Sequence, residues 1–344
     1  MLDPRSPFMT ALLKSQETRL VGREHLERMS AATAGTDVRA TLHDTDIGAW
    51  LAAASWRNAE ERDHSLWSYL AATLGAIELR RFFPREARRF SRSYLLKYDV
   101  ANIKAVLQAL ALGGRPRLAP IGVMHAKRMM EDLAAVQSRE ALDETLTRAG
   151  LRKYALALHA SGSHGGRRGR LAMEAALEGE YYRELRHAVR GLIGGHLLTA
   201  ACGLLHDLAN LSILCRLLVA GATIEDAAAF IPGGNQLDEQ DLHDALAHGL
   251  HDLPRRLESE PYRKVAADVT AAYERAGSVA AIEAVIERHR VAALRDLLAS
   301  SLAPAAVIAW FIVLKETELR NVRLLLTAAE DDLALDEVRR HLLL

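Results

Sequence analysis

The stretch Leu205-His206-Asp207-Leu208-Ala209-Asn210-Leu211-Ser212 decides how the chain is read, because it has two counterparts. Lys97-Tyr98-Asp99-Val100-Ala101-Asn102-Ile103-Lys104 lies upstream of it and Glu316-Thr317-Glu318-Leu319-Arg320-Asn321-Val322-Arg323 downstream. Each has an acid, two residues, an asparagine and an aliphatic residue leading into an apolar run. The asparagines are 108 and 111 residues apart, about a third of the 344-residue chain. A repeat on that scale divides the chain into three similar helical lobes, 1–115, 116–236 and 237–344, with approximate internal threefold symmetry.

Residues three apart share a helix face, so Asp99 projects with Asn102, Asp207 with Asn210 and Glu318 with Asn321. Asparagine is a mediocre helix-interior residue because its side chain competes for backbone hydrogen bonds. Its recurrence at equivalent mid-helix positions therefore implies a specific partner. One reading makes the pairs three binding or catalytic sites. The other has each pair hydrogen-bonding a neighbouring helix end or loop, as buried polar groups require, and we expect most of these positions to be structural.

The rest of the chain reads as helix. Alanine, leucine, arginine and glutamate dominate, and long β-branched or alternating runs are missing. Apolar stripes at helical spacing include Val100, Ile103, Leu107 and Leu110; Leu204, Leu208, Leu211, Cys215 and Leu218; and Leu319, Val322 and Leu326. The breaks fall at Gly113-Gly114-Arg115-Pro116, Ser161 to Gly169, Pro232-Gly233-Gly234, and around Pro254 and Pro261. The fold class is all-α. Ile224-Glu225-Asp226-Ala227 and Leu335-Asp336-Glu337-Val338, each fourteen residues after an asparagine, read as short helix starts with carboxylates at the positive end of the dipole. The matching segment after Asn102, Leu118-Ala119-Pro120-Ile121, comes two residues later and lacks the acids.

Lys+Arg and Asp+Glu are equal at 44 each, which removes any whole-molecule field for gripping nucleic acid or an anionic bilayer. The two cysteines, Cys202 and Cys215, form no CxxC, so neither a disulfide framework nor a thiolate metal site is signalled, and a reducing compartment is expected. Met1-Leu2-Asp3-Pro4-Arg5 does not read as a signal peptide. Ala305 to Leu314 is too short to span a bilayer, and Gly191 to Ala222 is interrupted by His196, His206, Asp207 and Arg216, so a soluble protein without a transmembrane segment is expected.

The run Tyr94 to Lys104, together with Lys315 to Arg323, resembles the C subunit of prokaryotic V-type (A/V-type) ATPases, whose eukaryotic counterpart is the V-ATPase d subunit. The resemblance covers nearly the whole chain. It includes Glu24-His25-Leu26-Glu27-Arg28, Leu42-His43-Asp44-Thr45-Asp46 and the turn Ile231-Pro232-Gly233-Gly234. It implies a funnel-shaped collar in the central stalk, a rotor connector that joins the central shaft subunits to the membrane proteolipid ring. Such a protein transmits torque for proton or sodium transport coupled to ATP hydrolysis or synthesis. It is non-catalytic, carries no cofactor or metal, and sits peripherally on the cytoplasmic side of the membrane. The motif positions it singles out, as structural or interaction residues, are Asp99, Asn102, Lys104, Asp207, Asn210, Arg216, Gly233, Gly234, Glu318, Arg320, Asn321 and Arg323. Two departures stand out: Ser212 replaces the basic residue expected after Asn210-Leu211, and an arginine-rich, insertion-like loop occupies Gly165 to Arg170.

Other chemistries are weaker on the same residues. Glu61/His64 and Glu184/His187 have the Glu-x-x-His spacing of di-iron bundles, but the surroundings of the first pair are too charged to face a core. His243, His248 and His251 cluster without zinc-site spacing. The glycine- and arginine-rich run Gly162 to Arg170 reads as a surface loop, not a phosphate loop, since GxxxxGK[ST] is missing. Glu316 and Arg320 have the i,i+4 spacing of a helix ion pair. A helical-repeat interaction scaffold unrelated to ATPases is the alternative, against which the long period counts, because solenoid repeats run ~20–50 residues.

Overall fold

Helix-forming residues carry through the structure as expected. In a computed structural model describing residues 4–31, 35–79, 83–161, 166–331, 333–334 and 338–343, the chain is all-α, with no strand among the described residues. Five helices come first: α1 (Arg5–Glu17), α2 (Arg23–Ala31), α3 (Gly35–Ala40), α4 (Asp46–Ala53) and α5 (Ala59–Leu79). The long α6 (Arg85–Leu112) carries Asp99 and Asn102. After it come α7 (Val123–Ala126), α8 (Met130–Ala134), α9 (Arg139–Arg148), α10 (Arg152–Ala160) and α11 (Gly166–Val189). The second asparagine helix, α12 (Gly195–Val219), is followed by α13 (Glu239–His248), α14 (Leu253–Arg256), α15 (Tyr262–Ala276) and α16 (Val279–Leu298). The third asparagine helix is α17 (Pro304–Glu330).

These three helices begin where the sequence forbids earlier helix. Pro84 holds an extended backbone before α6, Gly194 adopts a left-handed conformation before α12, and Pro304 opens α17, where its missing N–H costs nothing. The starts of α6 and α17 and the turn into α12 meet around a small cavity of about 330 Å³, lined by Arg85, Ile193 and Pro304 among others. Later turns of the same helices wall a second cavity of about 870 Å³. They therefore converge at their N-terminal ends and hold a space between them further along.

The apolar interior forms two contiguous clusters. One includes Met9, Phe90, Tyr154, Leu177 and Phe311. The other lies between α12 and α13 to α16 and includes Leu211, Leu242, Tyr262 and Ile282. Pro304 to Val313 is buried without interruption, so this apolar run serves as a core segment. Helix α12 is long and apolar enough to cross a membrane by composition, but 61% of that window is buried inside the protein.

Two local expectations change. The run Gly162 to Arg170 is not a loop throughout, because α11 starts at Gly166 and takes Arg168 and Arg170 into its first turns; arginine is a good helix former. Residues 162–165 lie outside the described residues, as do 335–337, on which the second acidic helix start falls. The first acidic start is a 3₁₀ turn, Ile224–Ala229, closed by a reciprocal capping box between Thr223 and Asp226.

Candidate functional site

The three asparagines make one joint three times. Asn102 donates from Nδ2 to the Ala119 carbonyl (2.9 Å) and accepts the Ala119 N–H at Oδ1 (2.7 Å). Asn210 does the same with Ile231 (3.0 and 2.8 Å), and Asn321 with Leu343 (2.7 and 3.0 Å). A primary amide carries both a donor and an acceptor, so it pairs with the N–H and C=O of a single residue as another peptide would. Leucine lacks both groups and aspartate lacks the donor. Ala119, Ile231 and Leu343 are thus the equivalent positions, and the matching of Leu118 to Ile224 by distance from the asparagine is corrected. The first connection is shorter and omits the acidic 3₁₀ turn.

The acids hold the chain just beyond these joints. Asp99 accepts the N–H groups of Val123 and Met124 (2.7 and 2.9 Å) at the start of α7. A Cβ at Gly122, where φ is +101°, would sit 2.4 Å from the Asp99 carboxylate, so only glycine fits. Asp207 accepts the N–H groups of Asn235 and Gln236 (2.8 and 2.9 Å) and the Tyr262 hydroxyl (2.6 Å). Gly233 supplies the positive-φ turn into this segment, and its carbonyl accepts from Arg186 (3.1 Å). A Cβ at Gly234 would collide with the Leu237 carbonyl at 1.9 Å.

Glu318 departs from this pattern. It accepts the Val21 N–H (2.9 Å), from a segment far earlier in the chain, and is held by the Lys315 ammonium (3.0 Å) and the Tyr69 hydroxyl (3.2 Å). Lys315 and Glu318 side chains are each 1% exposed. Burial pushes the Glu318 carboxyl upward, against the opposing effects of Lys315 and the Val21 amide. The next residue, Gly22, donates to His25, which contacts Asp44 (3.0 Å) and so ties together the Glu24–Arg28 and Leu42–Asp46 motifs.

The larger cavity lies among α6, α11, α12, α16 and α17. Three ion pairs lace those helices around it. Lys104 of α6 meets Glu178 of α11 (2.7 Å), and Arg216 of α12 meets Glu283 of α16 (2.6 Å). Lys97 of α6 meets Glu316 of α17 (2.7 Å), and Tyr98 donates to that same carboxylate (2.6 Å). Burial lowers the Lys97 ammonium, but Glu316 and Tyr94 together more than offset it, so the group titrates above the usual lysine range. Arg290 and Glu287 pair within α16 (2.7 Å). Ser212, where the resemblance calls for a basic residue, also lines the wall.

Of the basic motif residues, Lys104, Arg216 and Arg320 reach this cavity and Arg323 does not. Arg323 turns outward and clamps Asp63 of α5 (3.1 Å). Arg320 donates to the His341 carbonyl (3.0 Å), while Glu316 is taken by Lys97 and Tyr98. The expected Glu316–Arg320 helix pair is thus replaced by cross-helix contacts. Elsewhere, Glu61 is bound by Arg57 and Glu184 by Lys153. His248 sits beside Asp244 and His251 beside Glu274. No cluster of three or more His, Cys, Asp or Glu able to hold a metal occurs among the described residues. The two cysteines are buried, which pushes both thiols up to about 12.

Sequence reasoning missed the cavity carboxylates Glu178, Glu283 and Glu287, as well as Arg290, Lys315 and Tyr69. They lie outside the repeated motif or, for Lys315, in a run that reads as solvated.

The chain matches the family model described as ATP synthase (C/AC39) subunit over residues 9–341. It is 22% identical to the A-type ATP synthase C subunit of Methanocaldococcus jannaschii, over 96% of this chain and 84% of that protein. The A-type ATP synthase C subunit of Methanothermobacter thermautotrophicus is 24% identical, over 76% of this chain and 69% of its own. That of Methanobrevibacter smithii is 25% identical, over 73% and 67%.

Proposed function

The chain belongs to the ATP synthase (C/AC39) subunit family, and on that premise we propose that it is the non-catalytic connector of a rotary A/V-type ATPase central stalk. Its partners are then other subunits of that complex. The cavity among α6, α11, α12, α16 and α17 receives the foot of the central shaft, and the opposite end seats on the proteolipid ring at the cytoplasmic side of the membrane. Its work is mechanical, carrying torque between ATP chemistry in the head and proton or sodium movement in the membrane sector.

The observation that carries this reading is the hydrogen-bonded closure of three repeated joints on α6, α12 and α17, helices that together wall one cavity. Taking the lobes as 1–115, 116–236 and 237–344, each acid reaches into the next lobe. Asp99 grips Val123 and Met124, Asp207 grips Tyr262, and Glu318 grips Val21 and Tyr69. A load applied to one lobe passes to both others through short, buried polar bonds and closely packed helices, which deform little.

Ser212 on the cavity wall tests the reading. The native thiols are buried and protonated at neutral pH, so a cysteine introduced as Ser212→Cys is the reactive one. A thiol-directed photo-crosslinker placed there is expected to capture a shaft subunit in the assembled complex. Capture of head or ring subunits alone overturns the assignment.

A further inference from the structure

The charges of the larger cavity do not all close upon one another. Lys97, Lys104, Arg216 and Arg290 each meet a carboxylate, and those four carboxylates, Glu316, Glu178, Glu283 and Glu287, are thereby used. Arg320 has no carboxylate at ion-pair distance among the described residues, and its single protein hydrogen bond there is from Nη1 to the His341 carbonyl. A guanidinium carries five N–H donors in a planar fork suited to a bidentate carboxylate, so most of its hydrogen-bonding capacity faces the cavity unused. Burial holds its pKa below the ordinary arginine value, against the opposing effect of the Glu287 carboxylate.

The rim beside Arg320 is also basic in composition. Arg288 donates to the Arg340 carbonyl (3.2 Å), so two arginines grip successive carbonyls of the 3₁₀ turn Arg339–His341, itself a run of basic side chains. The adjoining wall is apolar at Ile213, Ala284 and Leu324. A site with one guanidinium that makes no direct ion pair among the described residues, beside an apolar strip, suits a helix end that is apolar on one side and carries a carboxylate on the other. A phosphate-dense surface suits it poorly, because Glu178, Glu283 and Glu287 line the same wall.

We infer that Arg320 is the anchoring cation for an acidic, amphipathic helix end of the shaft partner, which pairs an Asp or Glu side chain with this guanidinium. The inference rests on the reading of the cavity as the shaft seat and adds the chemistry of what enters it. Charge complementarity then sets the rotational register of the shaft within the seat, since the other cavity cations are already satisfied.

The test uses the full chain and the purified shaft subunit of the same complex, with equilibrium binding followed at several salt concentrations. Arg320→Glu is expected to weaken binding by at least about ten-fold and Arg320→Gln by less, while Arg295→Glu, outside the cavity lining, leaves it unchanged. The salt dependence should shrink in both Arg320 variants. Thermal melts establish that each variant is folded, and Arg320→Gln, which adds no repulsion, stands in if Arg320→Glu is not. Wild-type binding that is indifferent to both Arg320 substitutions overturns the inference while leaving the seat reading intact. A wild-type chain that does not bind the shaft, or that binds vesicles of anionic phospholipid through Arg320 instead, overturns both.

Discussion

Asp207 on α12 and Glu318 on α17 occupy the same position of a repeated motif, yet their buried charges are stabilised by different means. Asp207 is surrounded by neutral donors, two consecutive backbone amides 28 and 29 residues on and a tyrosine hydroxyl 55 residues on. Glu318 receives one backbone amide, from a segment 297 residues earlier, and a tyrosine hydroxyl and a buried ammonium supply the rest. Two converging N–H dipoles suffice for a short carboxylate, as at a helix N-terminus. Where the backbone offers only one, a full opposite charge is needed to keep the carboxylate ionised in the interior. The same geometric role is thus filled by dipoles at one joint and by an ion pair at another, and the two should fail differently.

The largest effect is expected at the ion pair. Glu318→Ala strands Lys315 in the core and should cost about 4 kcal/mol of unfolding free energy, measured by urea titration. Adding Lys315→Met to Glu318→Gln removes the stranded charge and should recover much of that loss. A double variant no more stable than Glu318→Ala would show that the charge pair is not what distinguishes this joint. Next comes Asn210→Leu, which leaves the buried N–H of Ile231 unpaired and its C=O with only the longer contact to His206 (3.3 Å). A loss of about 3 kcal/mol is expected in calorimetry, and an unchanged melting temperature would mean that the asparagine joint bears no load.

Asp207→Asn is milder, at about 2 kcal/mol, because the shape survives and one oxygen still accepts, though the new NH₂ group faces a donor. A loss larger than that of Glu318→Gln would reverse the ranking of dipole and ion-pair joints. The smallest effect concerns His206, which neighbours Asp207. Burial chiefly lowers its pKa, and Arg186 adds to that, while the Ile231 carbonyl, Asp207 and Glu178 oppose it. The unfolded chain therefore takes up this proton first as the pH falls below about 6.5, and stability drops through that window. His206→Gln should flatten the pH dependence in denaturation series between pH 7 and 5.

The repeated helices were legible in the sequence because acid-x-x-Asn is a local pattern, and an i,i+3 pair shares a face whatever surrounds it. The structural reading of the asparagines also followed from local physics, since an amide in a helix interior needs a partner. What each side chain meets is a tertiary matter. Nothing near Asn321 points to Leu343 as its partner in the way the structure does, and nothing near Glu318 points to Val21. Lys315 sits in Leu314-Lys315-Glu316-Thr317-Glu318, which has the composition of a solvated helix face, although its side chain is wholly enclosed by Tyr69 and Glu318. The spacing around Glu316 misleads for a similar reason. It offers Arg320 as a partner, but Lys97 and two tyrosines on α6 make a better-enclosed one.

Val21 and Leu343 attach to α17 through side chains three residues apart, Glu318 and Asn321, less than one helical turn. The polypeptide is linear, but its hydrogen bonding is circular: the step from Leu343 to Val21 occupies the place that Ala119 to Val123 and Ile231 to Asn235 occupy elsewhere. Two of the three junctions are covalent and one is not. Of the three joints, the one that rests on hydrogen bonds between distant segments, the Glu318–Val21 contact, is the one expected to give way first.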